Sequence, residues 1–397
     1  ELAELYLRGG RLPEALGALQ EVPAYRMRRP AHGRESDRNE QRRVMASLLL
    51  TAGRPEAALE VTEKALVAPD RRGHNSRDPA QDAAVAALLD RVVRRDLAAR
   101  RVEAAVGEGV GARLGAALEA AWLRFEGWLS GRRALDALAD ESTLVGVHRI
   151  GMASAAIVPP WLLGDLSSVA GAGIARAAVR RARAGDAREG AGAYYDAFAA
   201  EAALEAGDEA RCVELAERAR AALGEGDALL RARVTALEAE ASRRLRGVSA
   251  ALPAYDAALQ LDPGTFRRLG FALPVRVAAR GDAVAEEVAS ALRRSPRFDV
   301  GDVGFALVVD ATAAGGRVCL RDGAGGELGC AEVQPTTDDD VDSLAARLAD
   351  EAQRVLFTPA IDLSQADIGS LDGSTQSRRG ALDDLLDEAT RSADEGP

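Results

Sequence analysis

The stretch Ala254-Tyr255-Asp256-Ala257-Ala258-Leu259-Gln260-Leu261-Asp262-Pro263 sets small residues and leucines at helical spacing and then closes on Asp-Pro. A proline pushes the residue before it out of the helical region, so the helix ends there. The same design recurs upstream. Residues 1–20 open Glu-Leu-Ala-Glu-Leu-Tyr-Leu-Arg-Gly-Gly-Arg-Leu-Pro-Glu-Ala-Leu. One helix ends at Gly9-Gly10 and a second begins at Leu12-Pro13-Glu14-Ala15, the expected placement of glycine and proline. Residues 46–69 repeat it with Ala46, Leu49, Gly53, Pro55, Ala58, Ala65 and Pro69. Residues 193–223 do so with Ala200, Gly207, Asp208 and Ala219. Such self-similarity predicts an array of paired helices.

These copies resemble tetratricopeptide repeats. Ala3, Tyr6, Gly10 and Ala15 match the pattern in the first copy, and Ala258 to Pro263 give its A-L-x-L-D-P ending. The resemblance covers roughly half of residues 1–265 and implies a mostly α fold, an α-solenoid with a concave protein-binding groove. Cys212 falls where the family has a small residue, so a buried side chain is expected. Carried over by register, the exposed groove positions are Arg43 and Ser47 in the second copy and Tyr194, Ala197 and Glu201 in the third. In the last copy they are Arg233, Glu240 and Arg243. The arginine fork suits carboxylate ligands, while the glutamates make the sign of the groove mixed.

Residues 70–190 are helical by pattern but out of register, as in Asp82-Ala83-Ala84-Val85-Ala86-Ala87-Leu88-Leu89. Pro159-Pro160-Trp161 breaks this region. Trp122, Phe125, Trp128 and Trp161 are expected as core anchors. Arg28 to Arg43 and Arg71 to Arg77 read as surface loops.

From about Gly270 the period changes. Phe271 to Val277 alternates like a strand, and Pro274 predicts an edge or irregular one. Asp282 caps a helix that ends at Ser295-Pro296. Phe305 to Asp310 is a strand, and Arg317–Asp322 and Glu327–Glu332 flank a Gly323-Ala324-Gly325-Gly326 turn as a hairpin. A helix follows over Val341 to Phe357. If Asp322 pairs with Glu327, Cys319 and Cys330 stand directly opposite, close enough for a disulfide. A persistent disulfide implies an oxidising compartment.

This order makes a small α+β domain. It resembles the amino-terminal domain of TolB-like proteins and the related domains of envelope lipoproteins. The resemblance rests on Val284 to Phe298 with its ending Leu-Arg-Arg-Ser-Pro-Arg-Phe-Asp-Val, on the strand Phe305 to Asp310, and on the hairpin. It implies a non-catalytic role in the cell envelope through protein contacts. The expected organisation is a helical repeat domain at 1–268, irregular at 70–190, an α+β domain at 269–358 and an acidic tail at 359–397.

The chain has 397 residues and a net charge of −11. Residues 331–397 hold 16 Asp and Glu against 5 Arg, which is the whole of that excess. An acidic chain argues against nucleic acid as partner. Ala381 to Glu388 could form a short amphipathic helix in an otherwise solvated tail. The single lysine, Lys64, follows Glu63, so there is no Walker loop. Gly107 to Gly111 resembles a phosphate cradle but follows no strand. The three histidines and three cysteines are scattered, without a zinc spacing, and no GxSxG elbow exists. No cofactor, metal or transmembrane segment is expected, and a lipid anchor upstream of Glu1 is compatible with the sequence. The reading is a non-enzymatic envelope scaffold or adaptor, periplasmic or outer-membrane-associated, that binds proteins through its groove. Its rivals are a cytoplasmic adaptor and an enzyme with a pocket in the 80–190 helices.

Overall fold

The computed structural model describes residues 2–20, 35–67, 79–137, 179–180, 183–184, 191–337, 339–359 and 361. The chain is mostly helical, with a small mixed five-strand sheet. The helices come in pairs: α1 (Leu2–Arg8) with α2 (Leu12–Gln20), α3 (Glu35–Thr51) with α4 (Pro55–Val67), and the long α5 (Pro79–Ala104) with α6 (Val110–Ala137). Then come α7 (Ala191–Glu205) with α8 (Glu209–Ala222), α9 (Ala228–Arg246) with α10 (Val248–Leu261), and the short α11 (Thr265–Leu269). The loop expected over Arg28 to Arg43 is corrected, because α3 is already helical from Glu35. Its first part, the loop at Arg71 to Arg77, Pro159 to Trp161 and the tail from 362 onward lie outside the described residues.

Three of the pairs turn alike. Gly10, Gly53 and Gly207 have φ of 72°, 72° and 73°, a left-handed conformation that costs a side chain dearly. The next residue donates its N–H five residues back: Arg11 to Tyr6, Arg54 to Leu49, Asp208 to Ala203. This is the Schellman closure of a helix end. The carbonyl of that same residue then accepts the N–H of Ala15, Ala58 and Cys212. All three of those side chains are 0% exposed. Cys212 therefore holds the small-residue place that alanine holds in the other two turns. Burial, with Glu201 nearby, pushes its thiol up to about 12.

The sheet order is β2-β1-β3-β4-β5. Its strands are β1 (Leu273–Gly281), β2 (Phe298–Val300), β3 (Phe305–Thr312), β4 (Gly315–Arg321) and β5 (Glu327–Val333). β1 runs parallel to β2 and β3, while β3, β4 and β5 are antiparallel. Helices α12 (Ala283–Arg294) and α13 (Val341–Leu356) pack on the sheet and on each other. Phe305, Leu307, Val309 and Ala311 face them at period two.

Two expectations are corrected here. β1 lies inside the sheet rather than at its edge. Pro274 is tolerated because pairing with β3 begins one residue later, at Val275, so no ladder bond is lost on that side. In the hairpin, Cys319 stands opposite Cys330, but a bulge after Leu320 pairs Glu327 with Arg321, not Asp322. Asp322 instead accepts the N–H groups of Ala324 (2.8 Å) and Gly326 (2.7 Å) and organises the turn.

Candidate functional site

The eight positions expected to line an open groove are not an open groove. Arg43, Ser47, Ala197, Glu201, Arg233 and Glu240 are buried. The Ser47 hydroxyl donates to the Arg43 carbonyl (2.8 Å). Arg233 donates to Glu201 from Nε (3.0 Å) and Nη2 (2.5 Å). Glu240 accepts from Arg243 Nε (2.9 Å) and Nη2 (2.8 Å), from Arg244 Nε (2.8 Å) and from the Tyr255 hydroxyl (2.9 Å). Burial pushes the Glu240 carboxyl up, but these bonds outweigh it and hold it below the usual carboxylate range. Only Tyr194 and Arg243 keep partial access. The Tyr194 hydroxyl donates to Asp227 (2.8 Å), and the Arg8 guanidinium lies over its ring at 5.5 Å. Burial and then Asp227 push that phenol up to about 12.

The physical reason is that neighbouring helices cover these positions: α1 packs on α3 and α9, and α7 and α10 pack on α9. Leu7, Met45, Leu48, Tyr195, Phe198 and Leu229 consequently share one buried cluster. The inner helix faces enclose core, and their charges satisfy one another. Helical register puts residues on a face, and the packing of distant helices decides whether that face is covered.

A second cluster has no trace in the sequence pattern. Asp96 and Glu103 of α5, Arg267 of α11 and Arg297 before β2 are all buried. Arg267 pairs with Asp96 and donates to the carbonyls of Leu50 (2.5 Å) and Phe357 (3.3 Å). Arg297 pairs with Glu103 and Asp96 and donates to the Arg267 carbonyl (3.1 Å). Gln353 of α13 donates to the Glu103 carbonyl (3.2 Å) and accepts from the Ser295 hydroxyl (2.6 Å). Burial pushes the Glu103 carboxyl up more strongly than Arg297 pulls it down. The arrangement fastens α5 to the sheet region rather than offering a reactive group. At its margin, Gly107 is needed for close approach, since an added Cβ would lie 2.5 Å from the Ala346 Cα.

The aromatic anchors are also corrected. Trp122, Phe125 and Trp128 are 60%, 46% and 51% exposed, and Trp161 lies outside the described residues. α6 packs on α5 through Ala120, Leu123, Gly127 and Ser130 instead. Small residues on that side let the two long helices approach closely. The rings therefore project from the opposite side, with centroids 5.7 Å and 6.0 Å apart along the row.

The structure places a disulfide between Cys319 and Cys330, 11 residues apart. Glu327 lies beside it. An open depression of about 450 Å³ between β5 and α13 is lined by Glu332, Gln334, Arg347, Asp350 and Glu351. Three of its four charges are held in ion pairs, Arg347 with Asp339, Asp350 with Arg100 and Glu351 with Arg354, and Glu332 accepts a hydrogen bond from Gln334 Nε2 (3.1 Å). Among the described residues, no helix is long and apolar enough to cross a membrane. No protein-family profile and no curated protein matches this chain.

Proposed function

We propose that this chain is a non-catalytic scaffold or adaptor of the bacterial cell envelope, built as a tetratricopeptide-like solenoid that continues into a TolB-like α+β domain. The observation that carries the reading is the recurrence of one turn at Gly10, Gly53 and Gly207, with its small buried residue at Ala15, Ala58 and Cys212. Units repeated at that level of detail belong to stacked arrays, whose use is to present extended surface to other proteins. Because the inner positions are occupied by their own ion pairs, the partners meet outer surfaces. The Cys319–Cys330 disulfide supports the envelope location.

Proximity labelling in native cells, with the full chain as bait, tests this reading. A discrete set of envelope proteins, enriched over a compartment-matched control, is expected. A cytosolic set would move the same scaffold into the cytoplasm. Enrichment of no protein above control would overturn the scaffold reading.

A further inference from the structure

Six of the twelve large apolar side chains exposed among the described residues lie on α6: Val110, Leu114, Leu118, Trp122, Phe125 and Trp128. Leu114, Leu118, Ala121, Phe125 and Trp128 alternate in steps of four and three, the spacing of a helix–helix seam. The seam is uneven along its length. Its first half is hollow, with Gly111 and Ala117 exposed on the stripe and Gly115 exposed at its edge. Its second half carries the three rings.

Glycine disfavours a helix interior, so it needs a reason there. Gly127 has one, because an added Cβ would sit 3.5 Å from the Arg91 carbonyl of α5. Gly111 and Gly115 have none among the described residues, since none of them lies within 4 Å of the same added atom. Two hollows and a row of rings on one stripe match each other only when the stripe meets itself head to tail.

We propose that α6 pairs antiparallel with α6 of a second copy, about a two-fold axis at Leu118. In that register Phe125 of each copy lies over Gly111 of the other, Ala121 over Gly115 and Trp122 against Leu114. The contact is self-complementary, as a two-fold interface must be. The exposed parts of the six apolar side chains amount to on the order of 600 Å² per copy. Two copies then reach about 1,200 Å², the lower end of stable interfaces. A lipid surface fits less well. Membrane-lying helices carry a cationic rim, whereas this stripe is flanked by Glu108 and Glu119 as well as Arg113 and Arg124, on a chain of net charge −11. The pairing does not depend on the scaffold reading.

Sedimentation velocity on the full chain at tens of micromolar tests it, and a dimer is expected. Phe125→Arg should weaken the dimer by more than about tenfold, as loss of a central aromatic anchor does. Gly111→Phe should do the same although it makes the stripe more apolar, because it fills the hollow. Circular dichroism should remain unchanged in both, since both sites are exposed. Independently, Leu118→Cys should form a covalent dimer on mild oxidation, and Leu114→Cys should not. A monomeric wild type overturns the proposal, as would happen if another part of the same chain covered the rings. A dimer indifferent to Phe125→Arg and Gly111→Phe overturns it too. So does a monomer that co-sediments with anionic phospholipid vesicles through Phe125.

Discussion

The helices that cover the sheet and the helices of the paired array bury themselves in different ways. α12 and α13 each hide one stripe: Val284, Val288, Ala291 and Leu292 in the first, Leu344, Leu348, Ala352 and Leu356 in the second. Their other sides are charged, so each has one place to go, the face of the sheet. α7 instead buries Ala191, Ala193, Tyr195, Ala197, Phe198, Ala200 and Ala203, which lie all around its axis. α9 likewise buries Leu229, Ala232, Val234, Thr235 and Ala236, on several sides. A one-faced helix fixes its partner through its own sequence. A helix rich in alanine on every side can be enclosed from several directions, and its neighbours decide which. α6 is a third case, apolar on the side that no part of the described chain covers.

The ion cluster between the two regions offers the hardest test of this contrast. Asp96→Ala removes the partner of Arg267 and leaves a cation buried. Breaking such a pair costs about 3–5 kcal/mol. Urea unfolding followed by hydrogen exchange should show α5 and the sheet losing protection together. If only α5 loses it, the two regions are independent and the cluster does not join them.

Next in size is the disulfide, which acts on the sheet region alone. Reducing a bond of this loop length removes about 2–4 kcal/mol. The loss should appear in β4 and β5 while the paired helices keep their protection. Alkylation of unfolded, unreduced protein from native cells should count one thiol per chain, that of Cys212. Three thiols would remove the argument for an oxidising compartment.

A smaller effect is expected at the repeated turns. Ala58→Leu forces a branched side chain into the helix crossing and should cost about 1–3 kcal/mol. Cys212→Ala, which restores the residue found at the other two turns, should cost less than about 1.5 kcal/mol. Equal losses from the two substitutions, read from chemical denaturation, would break the equivalence of the turns.

The smallest expected effect is one of pH, and it has opposite signs in the two places. The Glu240 carboxyl is held below its ordinary 4.5. Its contribution is complete above that value and is lost as pH falls through the lower folded value. The Glu103 carboxyl is pushed above 4.5. There the native chain takes up its proton first, and stability rises as pH falls from the raised value toward 4.5. Glu240→Gln should therefore make acid destabilisation shallower, and Glu103→Gln should make it steeper, in denaturant titrations between neutral pH and acid.

Local order was written in the sequence where a short stretch suffices to enforce it. The glycines at 10, 53 and 207 demand their turns because only they tolerate the left-handed backbone. The Asp282 cap, the amphipathic stripes of α12 and α13 and the register that sets Cys319 opposite Cys330 follow from spacing of a few residues. Tertiary structure decided what depends on distant parts meeting. Arg43, Ser47, Glu201, Arg233 and Glu240 became interior because α1 packed on α3 and α9 while α7 and α10 packed on α9. Trp122, Phe125 and Trp128 became surface because α6 turned its small residues toward α5. Asp96, Glu103, Arg267 and Arg297 met only once α5 and the sheet were brought together. Burial and pairing are properties of two surfaces, and a periodic sequence describes only one of them.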